Sequence, residues 1–104
     1  MHHERRPCCY IMASKAHGTL YVGVTSDLEN RVAEHRDLER PGFTRRYAVH
    51  RLVLFEEFGT MDDAIAREKQ LKRWRRQWKL NVIEDINPGW RDLAEDLGFP
   101  PLAR

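Results

Sequence analysis

Cysteine is almost missing from this sequence. Cys8 and Cys9 are the only two among 104 residues, and they are neighbours. Adjacent cysteines rarely bridge to each other, and with no CxxC pair and no Cys/His set the chain offers neither a disulfide framework nor a zinc site. Both thiols are read as reduced side chains in a strand. Long apolar runs are missing too. No stretch approaches the roughly 18–20 residues of a membrane span, and the opening MHHERRPCCYIM has no secretory apolar core. The expected location is therefore cytoplasmic, with no membrane partner. Internal repeats and low-complexity segments are also lacking, which excludes solenoids.

What is present fits a folded soluble protein: 33% charged and 41% hydrophobic residues. The length, residues 1–104, suits one compact domain. A chain this short buries only a modest core, which favours a shallow surface site over a cleft between lobes. The formal net charge of +2 conceals an asymmetry. REKQLKRWRRQWK, residues 67–79, holds seven basic residues and one acidic residue, a local charge of +6 against −4 for the rest. Concentrated positive charge of this kind can meet phosphates.

CCYIMA (8–13) and TLYVGV (19–24) read as two strands joined by a short glycine-containing turn, an antiparallel hairpin. S-D-L-E at 26–29 reads as a capping box that starts a helix at Ser26 and carries it to about Leu38, before Pro41 and Gly42. GFTRRYAVH (42–50) is a basic, aromatic connection. RLVLFEEF (51–58) is a buried strand. Thr60 caps a long helix, 61–84, with a break expected near Gln77. Asn87-Pro88-Gly89 is a turn, and WRDLAEDL (90–97) a short acidic helix. The order β-β-α-β-α-α predicts an α+β fold, a three-stranded antiparallel sheet flanked by helices.

Several polar residues sit awkwardly in this scheme. Arg31 and His35 are four apart on one helix face beside Leu28 and Val32. The plain alternative is that Arg31 pairs with Glu34 or Asp27 and His35 is a core-edge histidine. Glu68 falls within the apolar stripe of Met61, Ala64, Ile65 and Leu71, and a glutamate there needs a partner. That partner is either an arginine or a cation such as Mg²⁺, which takes few carboxylates and keeps several waters. Tyr10 and Tyr21 stand on adjacent strands, either as ordinary sheet aromatics or as functional hydroxyls. Gly23 within a strand points to a bulge or to close approach of a backbone or ligand. Trp74 and Trp78 lie among Lys72, Arg73, Arg75, Arg76 and Lys79, either as a nucleic-acid surface or as inward packing beneath a solvated basic face.

Taken together, YIM at 10–12, GTLYVGVTSDLENRVAEH at 18–35, GFTRRY at 42–47, LVLFEE at 52–57, REKQLKRWRR at 67–76 and NPGWRDL at 87–93 resemble the GIY-YIG nuclease family, above all its small stand-alone bacterial members. The resemblance spans roughly residues 8–97 and fixes several polar positions at set spacings. It implies divalent-metal-dependent cleavage of DNA phosphodiesters, leaving a 5′-phosphate and a 3′-hydroxyl. By position, Tyr10 and Tyr21 are the family's two tyrosines and Arg31 its catalytic arginine. His35 is the helix residue one turn later, and Glu68 the single ligand of one Mg²⁺ or Mn²⁺ ion. The implied DNA partner would meet Arg45, Arg46 and Tyr47 on the connection and Lys69, Lys72, Arg73, Arg75 and Arg76 on the basic helix. Two departures stand out. Cys9 replaces the isoleucine of the family name, and Val24 follows Gly23 where excision-repair relatives place a lysine. The competing reading is a nucleic-acid-binding module with little or no turnover. A third is a protein-interaction domain using the acidic 84–96 segment. The pattern leaves open the oligomeric state and whether Asn81 or Asn87 acts as the asparagine some members carry after the ligand helix.

Overall fold

A computed structural model describes residues 6–37 and 48–102. Its elements are β1 (Cys8–Ala13), β2 (Leu20–Thr25), α1 (Leu28–His35), β3 (Arg51–Glu57), α2 (Met61–Arg73), α3 (Arg76–Ile86) and a 3₁₀ turn, Leu93–Leu97. The expected α+β order is the observed one. The sheet is antiparallel with order β2-β1-β3, so β1 is central. No helix among the described residues is long and apolar enough to cross a membrane.

Burial on both faces explains the unbroken apolar run of β1. Every residue from Cys8 to Ala13 is at most 1% exposed. Alternation sends Tyr10 and Met12 to one face, where Val32 of α1, Val49, Leu52 and Ala94 cover them. Cys9, Ile11 and Ala13 face the other way, under Leu71 of α2 and Leu80 and Ile83 of α3. The sheet is thus the middle layer of three. Opposite β1, β3 shifts register between Ile11 and Met12, which leaves Val53 as an extra residue. Asn87, 6% exposed, donates its amide to the Val53 carbonyl at 3.2 Å and to the Arg91 carbonyl at 2.8 Å. Its own oxygen accepts from the Arg91 amide at 3.0 Å. Asn87 is a structural staple between the bulge and the C-terminal turn. Asn81, by contrast, lies exposed and accepts from Gln77 at 2.9 Å.

Three sequence expectations shift. The cap of α1 is Asp27, accepting from the Asn30 amide at 3.2 Å, rather than Ser26. β2 keeps Thr25 paired with Cys8, and the Thr25 hydroxyl accepts from the Asp27 amide at 2.9 Å, so the helix starts one residue later. Asn30, not Glu29, then takes the third helical position. α1 also ends sooner, at His35, with Arg36 as its C-cap. Leu38, Pro41 and Gly42 lie outside the described residues. The long helix breaks at Trp74 and Arg75, both extended (ψ 144° and 156°), three residues before the expected site. A straight helix from Met61 to Ile86 would run about 39 Å, longer than the molecule's largest extent of 35 Å. The break folds Leu80 and Ile83 back over the sheet.

The C-terminal segment is tied in by Asp92, 3% exposed. It accepts from Arg36 Nη2 at 2.6 Å and from the amides of Leu52 at 3.1 Å and Ala94 at 3.2 Å. Asp92→Ala leaves the Arg36 charge and the Leu52 amide unmatched, and is expected to cost about 3 kcal/mol in a urea titration. Asp96→Ala, which removes only the solvent-exposed pair with Arg91, is expected to leave the midpoint unchanged.

Candidate active site

Three rings meet on the α1 face of the sheet. Tyr10 stands directly opposite Gly23 on β2, and Tyr21 lies two residues further along that strand, opposite Met12. The tyrosines are therefore diagonal neighbours, with centroids 6.3 Å apart and planes 34° apart. α1 delivers His35 over both. Its ring packs edge-on to Tyr21 at 4.9 Å and to Tyr10 at 5.6 Å. Gly23 owes its place to this cluster. A Cβ there would collide with the Tyr10 hydroxyl and stand 2.8 Å from ring carbon Cε1. The close approach at Gly23 comes from the side chain of Tyr10, and the β1–β2 register runs through it unbroken.

The Tyr10 hydroxyl and His35 Nε2 are hydrogen-bonded at 3.0 Å, both buried. Burial, reinforced by Tyr21, raises the Tyr10 pKa well above the ordinary tyrosine range, with Arg31 opposing. Burial also lowers His35 to about 4, helped by the Arg31 charge and partly offset by Glu34. At neutral pH the pair is a phenol and a neutral imidazole. His35 Nδ1 is buried with no hydrogen-bond partner among the described residues. With Nε2 accepting from Tyr10, Nδ1 carries an unmatched hydrogen; in the other tautomer it is an unmatched acceptor. Leaving that nitrogen unmatched carries the desolvation cost of a buried polar group.

Two residues hold the end of α1, and no motif announces them. His50 Nδ1 donates to the His35 carbonyl at 2.9 Å, and Arg36 Nε donates to the His50 carbonyl at 3.1 Å. The partners lie about 15 residues apart across the connection, which no local spacing reveals.

Arg31 is exposed at the rim of the cluster. Its guanidinium lies 3.4 Å from Glu34 Oε1, and its charge reaches both Tyr10 and His35. Glu68 sits elsewhere. α2 packs against β1 and β2, on the Cys9–Ile11 side of the sheet. The Glu68 carboxylate, its side chain 14% exposed, lies 2.8 Å from the ammonium of Lys72. The structure thus brings Tyr10, Tyr21, Arg31 and His35 together and holds Glu68 on the helix of the opposite layer. β2 is the shared wall: an edge strand bearing Tyr21 on one face and packed by α2 on the other.

The basic side chains are unequally engaged. Lys69, Lys72, Arg73, Arg75 and Arg76 are all exposed. Arg76, however, donates to the carbonyls of His17 and Gly18 at 2.6 and 2.7 Å, clamping the hairpin turn. Arg67 is held by both oxygens of Glu56, at 2.8 and 3.2 Å. Arg45, Arg46 and Tyr47 lie outside the described residues. The Cys8 and Cys9 thiols are buried and unpaired, and burial pushes both up to about 12.

Comparison with known proteins gives a consistent picture. A family model described as the GIY-YIG catalytic domain matches residues 6–81. The chain is 40% identical over 72 residues to a UPF0213 protein of Haloquadratum walsbyi, covering 66% of this chain and 81% of that one. It is 34% identical over 76 residues to a UPF0213 protein of Staphylococcus saprophyticus, covering 73% and 92%. With a UPF0213 protein of Natronomonas pharaonis it shares 38% over 72 residues, covering 69% and 85%. No solved structure matches.

Two measurements check the cluster. Gly23→Ala forces a methyl group into Tyr10 and is expected to cost about 2 kcal/mol in a urea titration. For His35, the unfolded imidazole takes a proton near pH 6.5, the native one only near 4. Between these values the unfolded state binds more protons, so stability is full above pH 6.5 and falls toward pH 4. The loss amounts to about 3 kcal/mol. His35→Phe is expected to flatten that slope, read as the difference between variant and wild-type denaturation curves across this window.

Proposed function

Because this chain belongs to the GIY-YIG catalytic domain family, we propose that it is a metal-dependent endonuclease hydrolysing DNA phosphodiester bonds, of low sequence specificity or selective for DNA structure. Membership supports a nuclease-type function acting on nucleic acid in general. The finer reading rests on one observation: two tyrosines flank a neutral, half-satisfied imidazole, with a guanidinium at the rim.

Phosphodiester hydrolysis needs a deprotonated water, stabilisation of charge on the phosphoryl oxygens, and help for the leaving oxygen. Tyr21, only part-buried, is the tyrosine placed to meet a water; to take the water's proton its hydroxyl first gives up its own, and the neutral imidazole of His35, packed against its ring, is the acceptor at hand. Tyr10 is 1% exposed and kept protonated by burial, which suits positioning rather than direct attack. It fixes His35, which, being neutral, has a nitrogen able to receive a proton from the cluster. Arg31 contributes a planar fork. Its 3.4 Å contact with Glu34 is long for a charged pair, so a phosphate can take its place.

The residues present fit one hard divalent cation held sparsely. An ion of this kind needs only one or two protein carboxylates and keeps a shell of waters. Glu68 would hold that Mg²⁺ or Mn²⁺. Its mostly buried carboxylate already accepts a cation, the exposed Lys72 ammonium, so the site tolerates positive charge. When bound, such an ion supplies Lewis-acid stabilisation of the phosphoryl and leaving oxygens.

The test uses supercoiled plasmid and flapped or branched DNA with Mg²⁺ or Mn²⁺. Wild type is expected to nick at least one substrate. Arg31→Ala is expected to lower the rate by about a hundredfold or more, and Glu68→Ala to abolish nicking, with both folds intact by circular dichroism. Nicking undiminished in Glu68→Ala would overturn the assignment. Binding without cleavage on every substrate would leave a nucleic-acid-binding module instead.

A further inference from the structure

Two shallow depressions lie on the α2–α3 layer, and Trp74 is a wall of both. One, about 820 Å³, also takes Phe58, Arg67, Lys69 and Arg73. The other, about 410 Å³, takes Trp78, Asn81 and Val82. Between them the chain turns the corner at Trp74 and Arg75. The two tryptophans behave differently there. Trp74 packs against the core, while Trp78 is 49% exposed, a large ring left in water. They meet edge to face at 5.9 Å and 83°. Each carries a guanidinium over its ring, Arg67 over Trp74 at 5.1 Å and Arg75 over Trp78 at 5.3 Å. The carboxylates of the two linings, Asp63 and Asp85, each stand eleven residues along the chain from Trp74 and so bound the basic corner.

The charge and the rings together select the occupant. A second copy of the chain would set +6 against +6. An apolar protein surface would have to bury the rim of Lys69, Arg73 and Arg75 without partners. A paired duplex satisfies those cations through its phosphates, yet its bases are stacked on one another and leave no face for an indole. A strand with unpaired bases supplies both, phosphates for the cations and a flat π-face for the ring.

We propose that the Trp74–Trp78 corner binds a single-stranded stretch of nucleic acid, with an unpaired base taking the place of the Arg75 guanidinium on Trp78 and neighbouring phosphates meeting Lys69, Arg73 and the displaced Arg75. This rests on the nucleic-acid reading above and narrows its substrate to DNA carrying an unpaired segment, such as a flap, gap or loop.

The experiment measures binding, in EDTA so that nothing is cut. Fluorescence anisotropy at low salt compares a labelled short oligothymidylate with a blunt duplex of the same length. The single strand is expected to bind more tightly. Trp78→Ala is expected to weaken it about tenfold or more and to leave duplex binding unchanged, while Trp78→Phe retains most of the affinity. Circular dichroism confirms each fold. Single-strand binding unaffected by Trp78→Ala, or equal weakening of both ligands, overturns the proposal. So does sedimentation showing that Trp78→Ala splits a wild-type dimer without altering strand binding. Cleavage is scored separately with metal present. A nuclease whose strand binding ignores Trp78 keeps its activity assignment and loses this site; a non-cleaving protein that needs Trp78 to bind does the reverse.

Discussion

Tyr10 lies in the middle strand of the sheet, 1% exposed, and a phenol hydroxyl in that position must find a partner. It finds His35 Nε2 at 3.0 Å, and much of the architecture is arranged to make that bond available. Gly23 leaves the volume its ring end fills. α1 has to start at Leu28 and run two turns to bring His35 overhead. His50, Arg36 and Asp92 then lock the end of that helix to β3 and the C-terminal segment. A buried polar pair in low dielectric depends on the groups that hold it in place, and here three separate stretches of chain converge on the end of the helix that carries His35.

The same arrangement divides labour across the sheet. One face carries Tyr10 and His35, kept uncharged by burial, with Arg31 at the rim. The other carries α2 and α3, with the concentrated positive charge and Glu68. β1 separates them and β2, at the edge, touches both. On the reading proposed above, long, solvated cations would gather a phosphate backbone while Tyr10 and His35 stay in a drier setting, where their pKa values are displaced.

Much of this was legible in the sequence, for reasons that can be named. The strands showed because β1 is apolar on both faces and β2 and β3 are rich in branched and aromatic side chains. Arg31 and His35 showed because four-residue spacing fixes a shared helix face, and Glu68 because a carboxylate interrupts an apolar stripe. Its partner proved to be Lys72, one turn on, where an arginine or a cation was expected. Other features depend on geometry that sequence distance hides. The cap moved from Ser26 to Asp27 because strand pairing claimed Thr25. The helix broke at Trp74 rather than Gln77: Trp74 packs against the core, and the next helix folds back to bring Leu80 and Ile83 onto it. The roles of Asn87, His50 and Asp92 come from contacts 15 to 56 residues apart, which leave no periodic trace.

The two adjacent cysteines carry a last consequence. Both thiols are sealed within the central strand and held protonated. Oxidants and alkylating reagents act on cysteine as exposed thiolate, so the folded molecule offers them no thiol to attack. Only a chain whose sheet has come apart presents Cys8 and Cys9. Thiol oxidation is thereby confined to molecules that have already come apart, and the pair acts as a tamper seal on the central strand.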